Sequence, residues 1–140
     1  MVEYGKLKSE YTIEDGRQNG TSYIWYQSGQ LEIKEFYEND IMLSYKTWYE
    51  NGMPKKEFNY NEEGQLDGSI SQWYETGKPS FEAVYFNGMK NGVHRRWHEN
   101  GNIEEYSFYK NDKLNGTRYV WHMNGQLIEQ SNWKDGVRID

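Results

Sequence analysis

Three histidines, His94, His98 and His122, are the only imidazoles, and there is no cysteine. His94 and His98 stand four apart. On a strand their Cα atoms lie about 13 Å apart, too far for both to reach one zinc ion at about 2 Å. The carboxylate doublets Glu62-Glu63 and Glu104-Glu105 are chain neighbours, and strand neighbours point to opposite faces. Spacing alone makes no acid–base pair of either. There is no nucleophile elbow, phosphate-cradling glycine loop or metal motif. An enzyme is not expected, and no cofactor or metal is implied. The chemistry that remains is recognition. Tyr26, Tyr49, Tyr74, His98 and His122 each follow a tryptophan, and Glu50, Glu75 and Glu99 follow three of those rings. Arg96 and Ile24 lie nearby. Aromatic and arginine side chains supply most interface hot spots, so rings flanked by acids could grip a basic partner. The same ladder could equally do no more than hold a sheet together through cross-strand contacts.

What would position those residues is a repeat. A Trp followed four residues later by Gly occurs at Trp25, Trp48, Trp73, Trp97 and Trp121. The steps are 23, 25, 24 and 24 residues, a period that marks a repeat architecture. Twelve residues after each Trp stands Tyr37, Tyr60, Tyr85, Tyr109 or Trp133. Six after stands Leu31, Pro54, Pro79, Ile103 or Leu127. Proline cannot donate to a sheet ladder, so that slot reads as the first residue of a return strand. The glycines occupy three register slots, each read as a turn, with Asp40 and Asp112 standing in for Gly near unit ends.

Thr21 to Tyr26 alternates as a strand does. Each unit therefore reads as a β-hairpin closed by Ser28-Gly29, Asn51-Gly52, Thr76-Gly77, Asn100-Gly101 or Asn124-Gly125. Asn-Gly is the type I′ signal, because both residues accept positive φ. Asn19-Gly20 reads as a turn between units. The Trp column and the second aromatic column are expected on one packed face, with the rings after Trp on the other. A buried Trp73 replaced by Ala would then cost about 3–5 kcal/mol. One open, all-β domain, 1–140, is expected: a half repeat at 1–18, then units at about 19–43, 44–66, 67–90, 91–114 and 115–138. The second unit is irregular, with Met42-Leu43-Ser44 one residue short and Tyr60 to Gly64 one residue long. Between-repeat loops tolerate such changes and often carry individual function. At about 10 Å per two-stranded unit the array should run roughly 50 Å.

A net charge of −6 disfavours nucleic acid and an anionic membrane surface. It suits a basic protein partner reached by steering. The first residues have no apolar segment of signal-peptide type, and the expected location is cytoplasmic. Unpaired terminal strands would allow a homodimer.

The unit written Trp48-Tyr49-Glu50-Asn51-Gly52 and Trp97-His98-Glu99-Asn100-Gly101, followed by Leu or Pro, an aromatic and Asn/Asp-Gly, resembles the MORN-variant repeat. The resemblance implies stacked β-hairpins forming one elongated, twisted antiparallel sheet. Similar bacterial proteins are often described as antitoxins or immunity proteins that neutralise a cognate toxin. It therefore implies a protein-binding inhibitor that occludes a toxin or effector. The rival expectations are a MORN-type structural or membrane-associated scaffold and a phage-type inhibitor of a host defence protein.

Overall fold

The computed structural model describes residues 8–140. Met1, Gly5 and Leu7, on which half of the N-terminal half repeat rests, lie outside the described residues. The rest is one antiparallel sheet of thirteen strands, joined almost entirely as a meander. In chain order they are β1 Lys8–Glu14, β2 Arg17–Trp25, β3 Leu31–Glu38, β4 Ile41–Trp48, β5 Pro54–Asn59, β6 Gly68–Trp73, β7 Pro79–Phe86, β8 Met89–Trp97, β9 Ile103–Lys110, β10 Lys113–Leu114, β11 Gly116–Trp121, β12 Leu127–Lys134 and β13 Val137–Arg138. No helix occurs among the described residues. The five slots headed by Leu31, Pro54, Pro79, Ile103 and Leu127 each open a return strand. Proline is tolerated at the first residue of a strand.

Two turn types alternate along the sheet. After each Trp the amide of Gly29, Gly52, Gly77, Gly101 or Gly125 donates to the carbonyl three residues earlier. Only that glycine has positive φ; the Ser, Asn or Thr before it does not. These are therefore three-residue loops ending in a left-handed glycine, not the type I′ turns that Asn-Gly suggested. The preceding side chain is chosen for a different reason. Asn51, Asn100 and Asn124 each accept the amide two residues on through Oδ1, at 2.9 Å. The type I′ turns lie at the other edge, where Asp15-Gly16, Asn39-Asp40, Asn87-Gly88, Asn111-Asp112 and Asp135-Gly136 all have paired positive φ.

Each hairpin slips by one residue at its Trp, between Ile24/Trp25, Thr47/Trp48, Gln72/Trp73, Arg96/Trp97 and Val120/Trp121. A bulge of this kind breaks strict alternation, and it overturns the expected faces. Trp25 stacks on Tyr23 at 5.7 Å and Trp121 on Tyr119 at 5.5 Å. Those tyrosines share their face with Lys34 and Tyr106. Tyr109 instead lies 5.5 Å from His94, on the opposite face, and Trp133 donates there to Ser131 Oγ at 2.8 Å. The two aromatic columns thus part to opposite sides of the sheet. The tryptophans are half-buried, so a full-burial cost for Trp73→Ala does not apply. Asn19-Gly20 is not a turn either: it lies within β2, with Gly20 opposite Tyr37. Gly68, Gly92 and Gly116 likewise sit in strands.

All the buried positions but Thr47 fall in one row across the strands on the His94 face. It runs Ser22–Glu35–Tyr45–Phe58, Ile70–Ala83–His94–Ser107 and Arg118–Ser131. Ser107 and Ser131 have no exposure, and Ala83 has 1%. Small side chains are covered because larger rings flank them. Phe81 meets His94 edge-on at 5.0 Å, and Tyr109 closes the other side. A single sheet thereby makes a core without a second layer, each unit packing on its neighbours.

Candidate functional site

The ring that follows each Trp bridges two units. Tyr26 Oη donates to the Trp48 carbonyl at 2.8 Å, Tyr49 to Trp73 at 2.7 Å and Tyr74 to Trp97 at 2.6 Å. His98 continues the series, its Nε2 lying 2.9 Å from the Trp121 carbonyl. A carbonyl only accepts, so this contact places the ring proton on Nε2. The slot needs a flat ring with a donor at its far tip, which both Tyr and His provide. These four rings are half-buried, while His122, with no later Trp in the repeat slot, is exposed. The turn side chains make the same one-unit step. Asn51 Nδ2 donates to the Glu75 carbonyl and Asn100 Nδ2 to the Met123 carbonyl, both at 2.7 Å.

The acids stand outside this stitching. Glu50, Glu75 and Glu99 are exposed along the same edge, and none forms an ion pair among the described residues. They are close enough to act on the rings. Burial, then the carboxylates of Glu32, Glu50 and Glu75, push the Tyr26 phenol above its ordinary value. Burial and Glu75 do the same to Tyr49. Tyr74 is raised by burial, Glu104 and Glu99, against the opposing charge of exposed Arg96. The structure thus gathers Tyr74, Arg96 and Glu99 into one electrostatic neighbourhood, and Tyr26, Tyr49, Glu50 and Glu75 into another. Ile24 and Arg96 lie in one cross-strand row on the His94 face, with Ile33, Thr47 and Phe81.

A second acidic region lies at the opposite edge, where the irregular unit departs from the others. Asn61 to Gly64 repeats the left-handed-glycine loop in place of a type I′ turn. The change opens a depression of about 360 Å³ lined by Asp40, Ile41, Met42, Tyr60, Glu62, Glu63 and Gly64. These acids were not among the expected site residues. The length changes at 42–44 and 60–64 were the signal that pointed to them. Among the described residues no group of His, Asp and Glu is arranged to hold a metal ion.

The MORN repeat variant matches at residues 18–39, 44–62, 66–87, 90–111 and 114–135, most of the chain. The chain belongs to the MORN repeat variant family. Each matched MORN-variant unit contains its slot Trp, the left-handed glycine and the ring after the Trp, which bridges to the next unit in the first four, so the family pattern coincides with the parts that join units. A comparison with curated proteins finds no matching relative. No helix among the described residues is long and apolar enough to cross a membrane.

Proposed function

We propose that this MORN-variant array is a protein-binding inhibitor of antitoxin or immunity type, which covers the working surface of a basic partner and performs no chemistry itself. The observation that carries the reading is the row Glu50, Glu75 and Glu99: exposed, unpaired among the described residues and repeated at the unit spacing. A row of like charge on a rigid sheet attracts a partner of opposite sign and sets its register. The bridging rings are the frame behind that row. With their polar tips committed to neighbouring units, they contribute stiffness, and of the ring slots His122 alone offers an open ring. Acids around the depression at the other edge extend the same sign of charge.

The test compares the wild-type chain with the triple reversal Glu50→Lys, Glu75→Lys, Glu99→Lys in co-purification from the native host. A basic protein recovered in stoichiometric amount with wild type and lost with the variant, and whose activity the wild type suppresses, is the expected result. Equal recovery with both chains, or a captured partner whose activity is untouched, would overturn the proposal.

A further inference from the structure

The geometry points to a carboxylate-binding pocket built where the hairpin of the second unit bulges. Lys55 and Lys56 are chain neighbours and on an unbroken strand would point to opposite faces. β4 and β5 do not pair without a break. Thr47 stands opposite Lys56 and Trp48 opposite Pro54, which leaves Lys55 unpaired. A bulge re-aims side chains, and here both lysines line one depression with Tyr26, Glu32 and Thr47. The other basic doublet lies on a regularly paired stretch beside its bulge. Arg95 pairs across with Tyr106 and Glu82, and Arg96 with Glu105 and Phe81, so those two side chains part to opposite faces.

Size and charge narrow the ligand. The depression holds about 90 Å³. That is room for a few waters, and so for a carboxylate group. Among the described residues neither lysine is in an ion pair, and Lys55 Nζ sits 5.3 Å above the Tyr49 ring. Two lysines against Glu32 leave one net positive charge, which matches a monoanion better than a phosphate that carries nearly two negative charges. An independent observation marks the same place. Thr47 is only 7% exposed, and its Oγ1 is the one buried side-chain nitrogen or oxygen without a hydrogen-bond partner among the described residues. A buried hydroxyl left unpaired is destabilising, so such atoms call for an explanation. The atom has almost no accessible surface, so a ligand oxygen entering between the lysines supplies that partner only as a neighbouring side chain swings aside.

The occupant is the carboxylate of an Asp or Glu side chain, or of a chain terminus, on a protein partner. That source rests on the protein-binding reading above; the anion preference does not and is measured on the isolated chain. Amide NMR spectra are followed during titration with sodium acetate at constant ionic strength, then with inorganic phosphate. Saturable shifts centred on Thr47, Lys55 and Lys56 are expected. Lys56→Gln should weaken acetate by about fivefold or more, the scale of one charge-assisted hydrogen bond. Thr47→Val should weaken acetate without lowering the melting midpoint, and Thr47→Ser should restore binding. Shifts that never saturate and spread over every lysine, acetate binding indifferent to Lys56→Gln, or phosphate held more tightly than acetate would each overturn the assignment. Acetate binding that persists where partner capture fails would reject the protein-binding reading and leave the pocket standing.

Discussion

The bridging rings make a sharp prediction because one slot is filled in five units but connected in four. Tyr74→Phe removes one hydroxyl and leaves the ring. The bond it deletes, to the Trp97 carbonyl, is short at 2.6 Å. A typical intramolecular hydrogen bond contributes about 1 kcal/mol net, and a fully buried orphaned acceptor raises the loss to about 1–3 kcal/mol. Tyr74 is half-buried, so water can reach much of the vacated space. The cost should therefore sit near the lower figure, about 1 kcal/mol. For a chain of this length that corresponds to a fall of about 3–5 °C in the melting midpoint. His122→Phe alters the same slot where no later slot Trp offers a carbonyl, and should stay within about 0.5 kcal/mol of wild type, as ordinary surface changes do. Urea and thermal melts by circular dichroism give the totals. Amide exchange locates the loss, which should appear in the hairpins on either side of the deleted bond, because an array is held by nearest-neighbour interfaces. If Tyr74→Phe costs nothing, or His122→Phe costs as much, the rings are not the ties between units.

Two further outcomes follow from the core. Burial first, and then the charge of Lys90, hold the His94 pKa below its ordinary 6.5, with Arg96 and Arg118 adding to the effect and Glu105 opposing it; the unfolded chain therefore takes up that proton first, and stability that is whole above pH 6.5 should drain as pH falls toward the folded-state value. Burial opposes ionisation of Glu105, but the Arg118 hydrogen bond and charge prevail and lower its pKa, so a second loss should begin only below about pH 4.5. Melting midpoints measured down from pH 8 should show the first limb in wild type and not in His94→Asn; an unchanged limb in that variant would count against the assignment. In the strands, a Cβ at Gly92 would lie 3.0 Å from Val84 Cβ at φ +135°, whereas one at Gly116, φ +102°, meets nothing within 4 Å. Gly92→Ala should therefore cost about 1–3 kcal/mol for the conformation plus the clash, and more than Gly116→Ala, which carries the conformational cost alone; the reverse order in chemical denaturation would refute the close approach.

Much of this molecule is legible in its spacing. The Trp period places five units, and Pro54 and Pro79 mark where return strands begin. The faces were not legible. Counting parity from Trp97 to Tyr109 assumes an unbroken pleat, and the slip between Arg96 and Trp97 invalidates the count. The turn type was misread for a related reason. Asn100 looks like the first half of a type I′ turn, but its value lies in Oδ1, which holds the amide of Asn102. The role of the rings was hidden because their partner is a main-chain carbonyl, which every residue carries and no side-chain pattern advertises. Ser107 and Ser131 gave no hint of burial; they are covered by what stands beside them. The candidate docking edge was found in part. The acid row was visible as a repeat, while the convergence of Lys55 and Lys56 depends on a bulge that single-strand alternation conceals.

The ties all span one period. Tyr49 reaches forward 24 residues to a main-chain oxygen, and Asn51 does the same. Because the acceptor is generic, a gene that gains or loses a whole 24-residue block by unequal crossing-over would hand each donor an equivalent acceptor at the new junction. A half-block change would strand every donor beside it. Such a chain can change length in evolution by copying, in fixed increments, without redesigning a single contact.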